Sequence, residues 1–135
     1  MDDVLSKDDI LGMDDIPMEE VVVPEWGGKT VVVCGLTASG KNAYEASLVE
    51  IRGQSRRVRL ENATAKLVIR CAVNRQRQPL FSEGDIERLG TKSAAALERI
   101  ARVAQRLSGM TQADVEDLVK NSDAAQSGVS PTASL

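Results

Sequence analysis

The sequence predicts an α+β fold, mainly α: an N-terminal β-hairpin followed by four to five helices, between disordered termini. Three observations carry this. Two β-branched runs, Val21–Val23 and Val31–Val33, flank Gly27-Gly28, and a Gly-Gly pair takes the positive φ values that a tight hairpin turn demands. From Thr37 onward, apolar residues recur at helical spacing. Hydrophobic content is 42% but aromatic content only 2%, so Trp26, Tyr44 and Phe81 are the only rings. A core of Val, Leu, Ile and Ala favours close helix packing over a large ligand cavity.

Residues 1–19 read as an acidic flexible arm. A six-residue unit repeats through it (Asp2-Asp3-Val4-Leu5, Asp8-Asp9-Ile10-Leu11, Asp14-Asp15-Ile16-Pro17), and six residues turn a helix by about 600°, so the Asp pairs cannot share a face. Residues 20–120 read as one domain. With Gly27-Gly28 as the two turn residues of a hairpin over 20–35, Trp26 faces Lys29, Val23 faces Val32 and Val21 faces Cys34. Pro24 has no N–H and suits only an outward position on an edge strand. Thr37 caps a helix over about 38–51, with Tyr44, Leu48 and Ile51 on one face. Arg52–Arg59 is a polar break.

A second helix covers about 61–72, with Leu60, Thr64, Leu67, Val68 and Cys71 inward. Asn74–Gln78 before Pro79 is a turn that Val73 and Leu80-Phe81 could close as a short hairpin. Ser82-Glu-Gly-Asp85 approximates a capping box for a short helix over 83–89, stopped by Gly90. The most regular helix, about 92–108, carries a stripe of Leu97, Ile100, Ala101, Ala104 and Leu107, with Arg99, Arg102 and Arg106 opposite. Thr111-Gln-Ala-Asp114 caps a last amphipathic helix over 112–120, bearing Val115, Leu118 and Val119. The Ser/Ala/Gly-rich residues 121–135 have nothing to bury and read as a disordered tail.

Composition narrows the function. The 135 residues suffice for one core and contain no histidine, the side chain most used for proton transfer near neutral pH. Cys34 and Cys71, with no CxxC, read as two buried thiols in a reducing cytoplasm. No apolar run approaches the ~20 residues of a membrane span. The net charge of −3 conceals a sorting: residues 1–20 hold eight acids and one lysine, whereas Arg52–Arg77 holds eight basic residues against the single Glu61. Such an arm and such a segment attract each other, within one molecule or between neighbours.

Two segments carry a chemical alternative. Gly35-Leu-Thr-Ala-Ser-Gly40-Lys41-Asn42 matches the phosphate loop G-x-x-x-x-G-K-[ST] in every place but the last, between a strand and a helix. Asn42 offers an amide where the magnesium-binding hydroxyl belongs. The preceding strand is also an arm of a hairpin rather than a central parallel strand. The basic Arg52–Arg77 could bind nucleic acid, but it has no interleaved aromatic for bases to stack on. Composition and spacing reach a small cytosolic α+β domain that binds other proteins, without enzymatic activity, cofactor or metal. The surfaces with least cover are Leu5, Ile10 and Leu11 in the arm, Arg56 and Arg57 in the basic segment, and Val115, Leu118 and Val119 in the last helix.

Val23-Pro-Glu-Trp-Gly-Gly28, the Val-x-Val-x-x-Leu-Thr run ending at Thr37 and Tyr44-Glu-Ala-Ser-Leu48 resemble the tail assembly chaperones of long-tailed phages. So do Glu61-Asn-Ala63, Leu80-Phe-Ser82, the run from Leu89 to Leu97, Ala104-Gln-Arg-Leu107 and Lys120-Asn-Ser122. The likeness covers roughly residues 17–122. It implies a non-enzymatic protein that binds the tape-measure protein and helps recruit tail-tube subunits. It also implies action in the bacterial host cytoplasm and absence from the mature virion, with self-assembly possible and no membrane. The family has no catalytic residues to carry over. Asn74-Arg-Gln-Arg-Gln78 departs from an often acidic family loop, and Gly40-Lys41-Asn42 is not a family feature.

Overall fold

The computed structural model describes residues 3–110. Strand β1 (Met18–Val23) pairs antiparallel with β2 (Lys29–Cys34), and β2 pairs on its other side with the short β5 (Ala72–Val73), giving the order β1-β2-β5. The α+β class with helix predominant holds, but the hairpin register does not. Val23 lies opposite Lys29, Val21 opposite Val31 and Met18 opposite Cys34, three positions from the expected pairing. Proline is the cause. Its fixed φ and missing N–H end the strand, and Pro24–Trp26 forms a 3-10 turn instead of three more ladder residues. Gly27 and Gly28 do take positive φ, 75° and 70°, but they close a longer loop in which the Gly28 N–H donates to the Val23 carbonyl at 3.1 Å.

Helix α2 (Ala38–Ser47) starts as its sequence indicates, with Thr37 Oγ1 accepting from the Gly40 N–H at 2.9 Å. It ends four residues early. Lys66 Nζ donates to the Ser47 carbonyl at 2.9 Å, satisfying an end of the helix, and the chain turns into strand β3 (Val49–Arg52). β3 pairs with β4 (Ser55–Val58) around Gly53, whose φ is 61°. The expected polar break at 52–59 is therefore a second hairpin. Ile51, expected on the buried face of a helix, is 71% exposed on β3, whereas Leu48 is 1% exposed.

Helix α3 (Ala63–Cys71) follows, two residues later than expected because Asn62 takes a left-handed φ of 60°. Leu67, Val68 and Cys71 are buried as read. Thr64 is half-buried, and Leu60, which lies ahead of the helix, is exposed. The Asn74–Gln78 turn forms as expected: Asn74 Oδ1 accepts from the Gln76 and Gln78 N–H groups, and Leu80 N–H donates to the Ala72 carbonyl. The Ser82/Asp85 box opens a 3-10 turn (Glu83–Asp85) that runs into α4 (Ile86–Leu89).

Helix α5 (Ala94–Leu107) buries Ala96, Leu97, Ile100, Ala101 and Ala104 against α3 and the β1–β2 hairpin. Val23, Val33, Tyr44, Leu48, Leu67, Val68 and Cys71 complete one core. The expected helix over 112–120 and the tail over 121–135 lie outside the described residues.

These placements separate Ile51 from Leu48 energetically. Ile51→Ser is expected to change unfolding free energy by no more than ~0.5 kcal/mol, while Leu48→Ala costs ~2–5 kcal/mol in urea titration. A cost for Ile51→Ser in the core range would restore the longer helix.

Candidate partner-binding surface

The arm is more built than its composition suggested. Ser6 and Asp9 form a reciprocal capping box, with Asp9 N–H donating to Ser6 Oγ at 3.1 Å and Ser6 N–H donating to Asp9 Oδ2 at 2.9 Å. The Ser6 N–H first, and the Ser6 hydroxyl after it, hold the Asp9 carboxyl below the usual carboxylate range. The capped turn is helix α1 (Lys7–Leu11), which buries none of its residues. Leu5, Ile10 and Leu11 are all exposed, as is Val4.

Downstream the arm is tied to the domain. Asp14 meets Arg77 at 3.0 Å, Pro17 accepts from the Gly35 N–H at 3.0 Å, and Glu19 meets Arg106 at 2.6 Å. At the first residues of the sheet, Glu20 meets Arg75 at 2.5 Å. Opposite charges sorted along the chain thus meet within one molecule at Asp14–Arg77 and Glu20–Arg75. Each such exposed pair is weak, and salt screens it.

Arg56 and Arg57 project from β4 as exposed residues of the second hairpin, with Ile51 paired across from Arg56. Paired across from Arg57, Glu50 receives Arg59 at 2.7 Å and Arg52 at 2.6 Å, and these bonds lower its carboxyl pKa, Arg59 contributing most. The basic segment is not one open patch. Arg52, Arg59, Arg75 and Arg77 each face a carboxylate within 3.0 Å. Val115, Leu118 and Val119 lie outside the described residues.

The segment resembling a phosphate loop has other uses for its backbone. A phosphate loop wraps its ligand with free N–H groups. Here Gly35 N–H is held by Pro17, Leu36 N–H by Ser108 Oγ at 2.8 Å, Gly40 N–H by Thr37 and Lys41 N–H by the Thr37 carbonyl at 2.8 Å. A Cβ on Gly35 would stand 2.6 Å from the Leu107 carbonyl oxygen, so this glycine is explained by the approach of α5. β2 also has antiparallel neighbours on both sides. Nucleotide binding at Gly35–Asn42 has no geometric support.

What the sequence did not reveal is a groove of about 510 Å³ beside this junction, lined by Ile16, Leu36, Ile69, Val73, Pro79 and Phe81 with Arg70 and Arg77 at its edge. The groove draws on separate stretches of chain, so no local pattern marks it. Cys34 lines it and is half-buried, contrary to the expectation of two buried thiols. Burial raises the Cys34 thiol and pushes that of Cys71 up to about 12, so both are protonated and poor nucleophiles at neutral pH. Among the described residues no cluster of His, Cys, Asp or Glu could hold a metal ion, and no helix is long and apolar enough to cross a membrane.

The described residues thus form a small α+β domain with a partly tethered acidic arm, a projecting basic hairpin and an apolar groove. The model of the phage tail assembly chaperone family matches residues 13–121, and the chain belongs to that family. The structure of the bacteriophage HK97 tail assembly chaperone is similar in fold, with a TM-score of 0.53 at 20% identity over 74% of this chain and 88% of that one. A comparison with curated proteins returns no match.

The nucleotide question has a direct check. Lys41→Ala is expected to leave the unfolding midpoint unchanged, and ATP or GTP with magnesium to give the wild type no thermal shift. A ligand at 100 times its Kd stabilises by about 2.7 kcal/mol, so a real site would be plain. A shift abolished by Lys41→Ala would contradict the packing account of this loop.

Proposed function

We propose that the protein acts, without catalysis, as a tail assembly chaperone that binds the tape-measure protein and helps recruit tail-tube subunits in the bacterial host cytoplasm. It leaves before the virion matures. The family match over residues 13–121 carries this reading. The exposed arm supports it: Leu5, Ile10 and Leu11 offer apolar side chains to a partner, beside the acids of the same repeat. Arg56 and Arg57 on the projecting hairpin offer a second, basic contact. A chaperone for a long helical partner needs adaptable apolar and charged surface, and an amphipathic helix provides the complementary stripe.

Co-expression with the tape-measure protein of the same phage tests the proposal. That protein is expected to stay in the soluble fraction and to copurify with the full chain. Replacing Leu5, Ile10 and Leu11 together by Ser is expected to cut the affinity more than tenfold. Burying each such side chain is worth ~1.5–3 kcal/mol, and 1.4 kcal/mol is already tenfold. The domain's own stability should be unaffected. Equal insolubility of the tape-measure protein with and without the chain would reject the reading.

A further inference from the structure

We propose that the apolar groove beside Leu36 is a docking site for the chain's own segment 112–120. This goes beyond the chaperone reading and does not depend on it. The first observation is where the described chain stops. Helix α5 ends against the groove wall: Ser108 Oγ accepts from Leu36 N–H at 2.8 Å, and Leu107 lies on Gly35. Gly109 then turns the chain with a φ of 69°, and Met110 is buried. Both Gly35 and Leu36 line the groove. The three residues 111–113 span at most ~10 Å, a distance over which the segment that follows can still reach a groove lined by Gly35 and Leu36.

The second observation is chemical fit. Val115, Leu118 and Val119 fall on one face at helical spacing. Nine helical residues span about 13 Å, a length suited to a groove of about 510 Å³ floored by Leu36, Ile69 and Phe81. The segment carries Asp114, Glu116 and Asp117 against Lys120. At the groove edge, Arg70 has a buried Nε with no hydrogen-bond partner among the described residues, and its only ion pair there is a long 3.9 Å contact to Glu83. A carboxylate from the segment satisfies that guanidinium. The stripe that looks available to a partner is assigned here to an internal role, shielding the groove.

Methyl NMR on the full chain decides the matter. Nuclear Overhauser contacts are expected between Leu118 or Val119 methyls and those of Leu36 and Ile69, unchanged on tenfold dilution. Leu118→Glu is expected to abolish them and shift the Leu36 and Ile69 signals while the α5 core signals stay in place. Arg70→Gln is expected to weaken the contacts. Three outcomes overturn the proposal. One is contacts seen only between differently labelled copies, which would make a second copy the occupant. Another is groove signals indifferent to Leu118→Glu. The last is groove signals that move only when a tail protein is added.

Discussion

A core built almost without rings can exclude water only if backbones come close together. Tyr44 is the one aromatic side chain fully inside, and the space that rings would fill is closed by proximity instead. Ala65 and Ala72 with Ala96, Ala101 and Ala104 are all buried, so α5 can settle onto α3 and onto the hairpin. Close packing at interior density leaves little slack for added volume. Contact is tightest at Gly35, where the Leu107 carbonyl leaves no room for a methyl group. Neighbouring bonds depend on that approach: Ser108 reaches Leu36, and the hairpin's turn is pinned from outside by Arg99 on Glu25 at 3.0 Å. The Arg99 bond holds the Glu25 carboxyl below its ordinary range.

The same constraint accounts for the glycines of a sequence with the look of a phosphate loop. Gly35 answers α5, Gly40 gives its N–H to the cap at Thr37, and Lys41 sits in the first turn of α2. Three matching positions, Gly35, Gly40 and Lys41, can arise because a strand-to-helix junction under close packing also favours glycine. The charges divide the labour: Asp14 and Glu19 tether the arm to Arg77 and Arg106, leaving Leu5, Ile10 and Leu11 exposed at its far end.

Features set by neighbours in sequence were legible from the residues alone. The Thr37 cap, the Ser82–Asp85 box, the stripe of α5 and the Asn74 turn all formed where local chemistry put them. Features set by competition between two local rules were not. Gly27-Gly28 signalled a tight turn, but Pro24 had already ended the strand, and the register moved by three positions. Ile51 fits a helical period after Tyr44 and Leu48 as well as it fits alternation with Val49 in a strand. Gly53 and the tie from Lys66 to Ser47 decided for the strand. The arm's acidity was evident, but its pairing with Arg77 crosses the whole sheet in sequence and depends on the fold. The groove was illegible for the same reason, being assembled from distant segments.

Equilibrium unfolding of Gly35→Ala tests the close-approach account most directly. Gly35 does not need the left-handed region, so a change there reports space rather than backbone freedom. The account expects a loss of ~1–3 kcal/mol, as for other overpacked sites, with no change in the response to nucleotides. Wild-type stability in Gly35→Ala would show that α5 is not held as tightly against the hairpin as described, and would contradict the account.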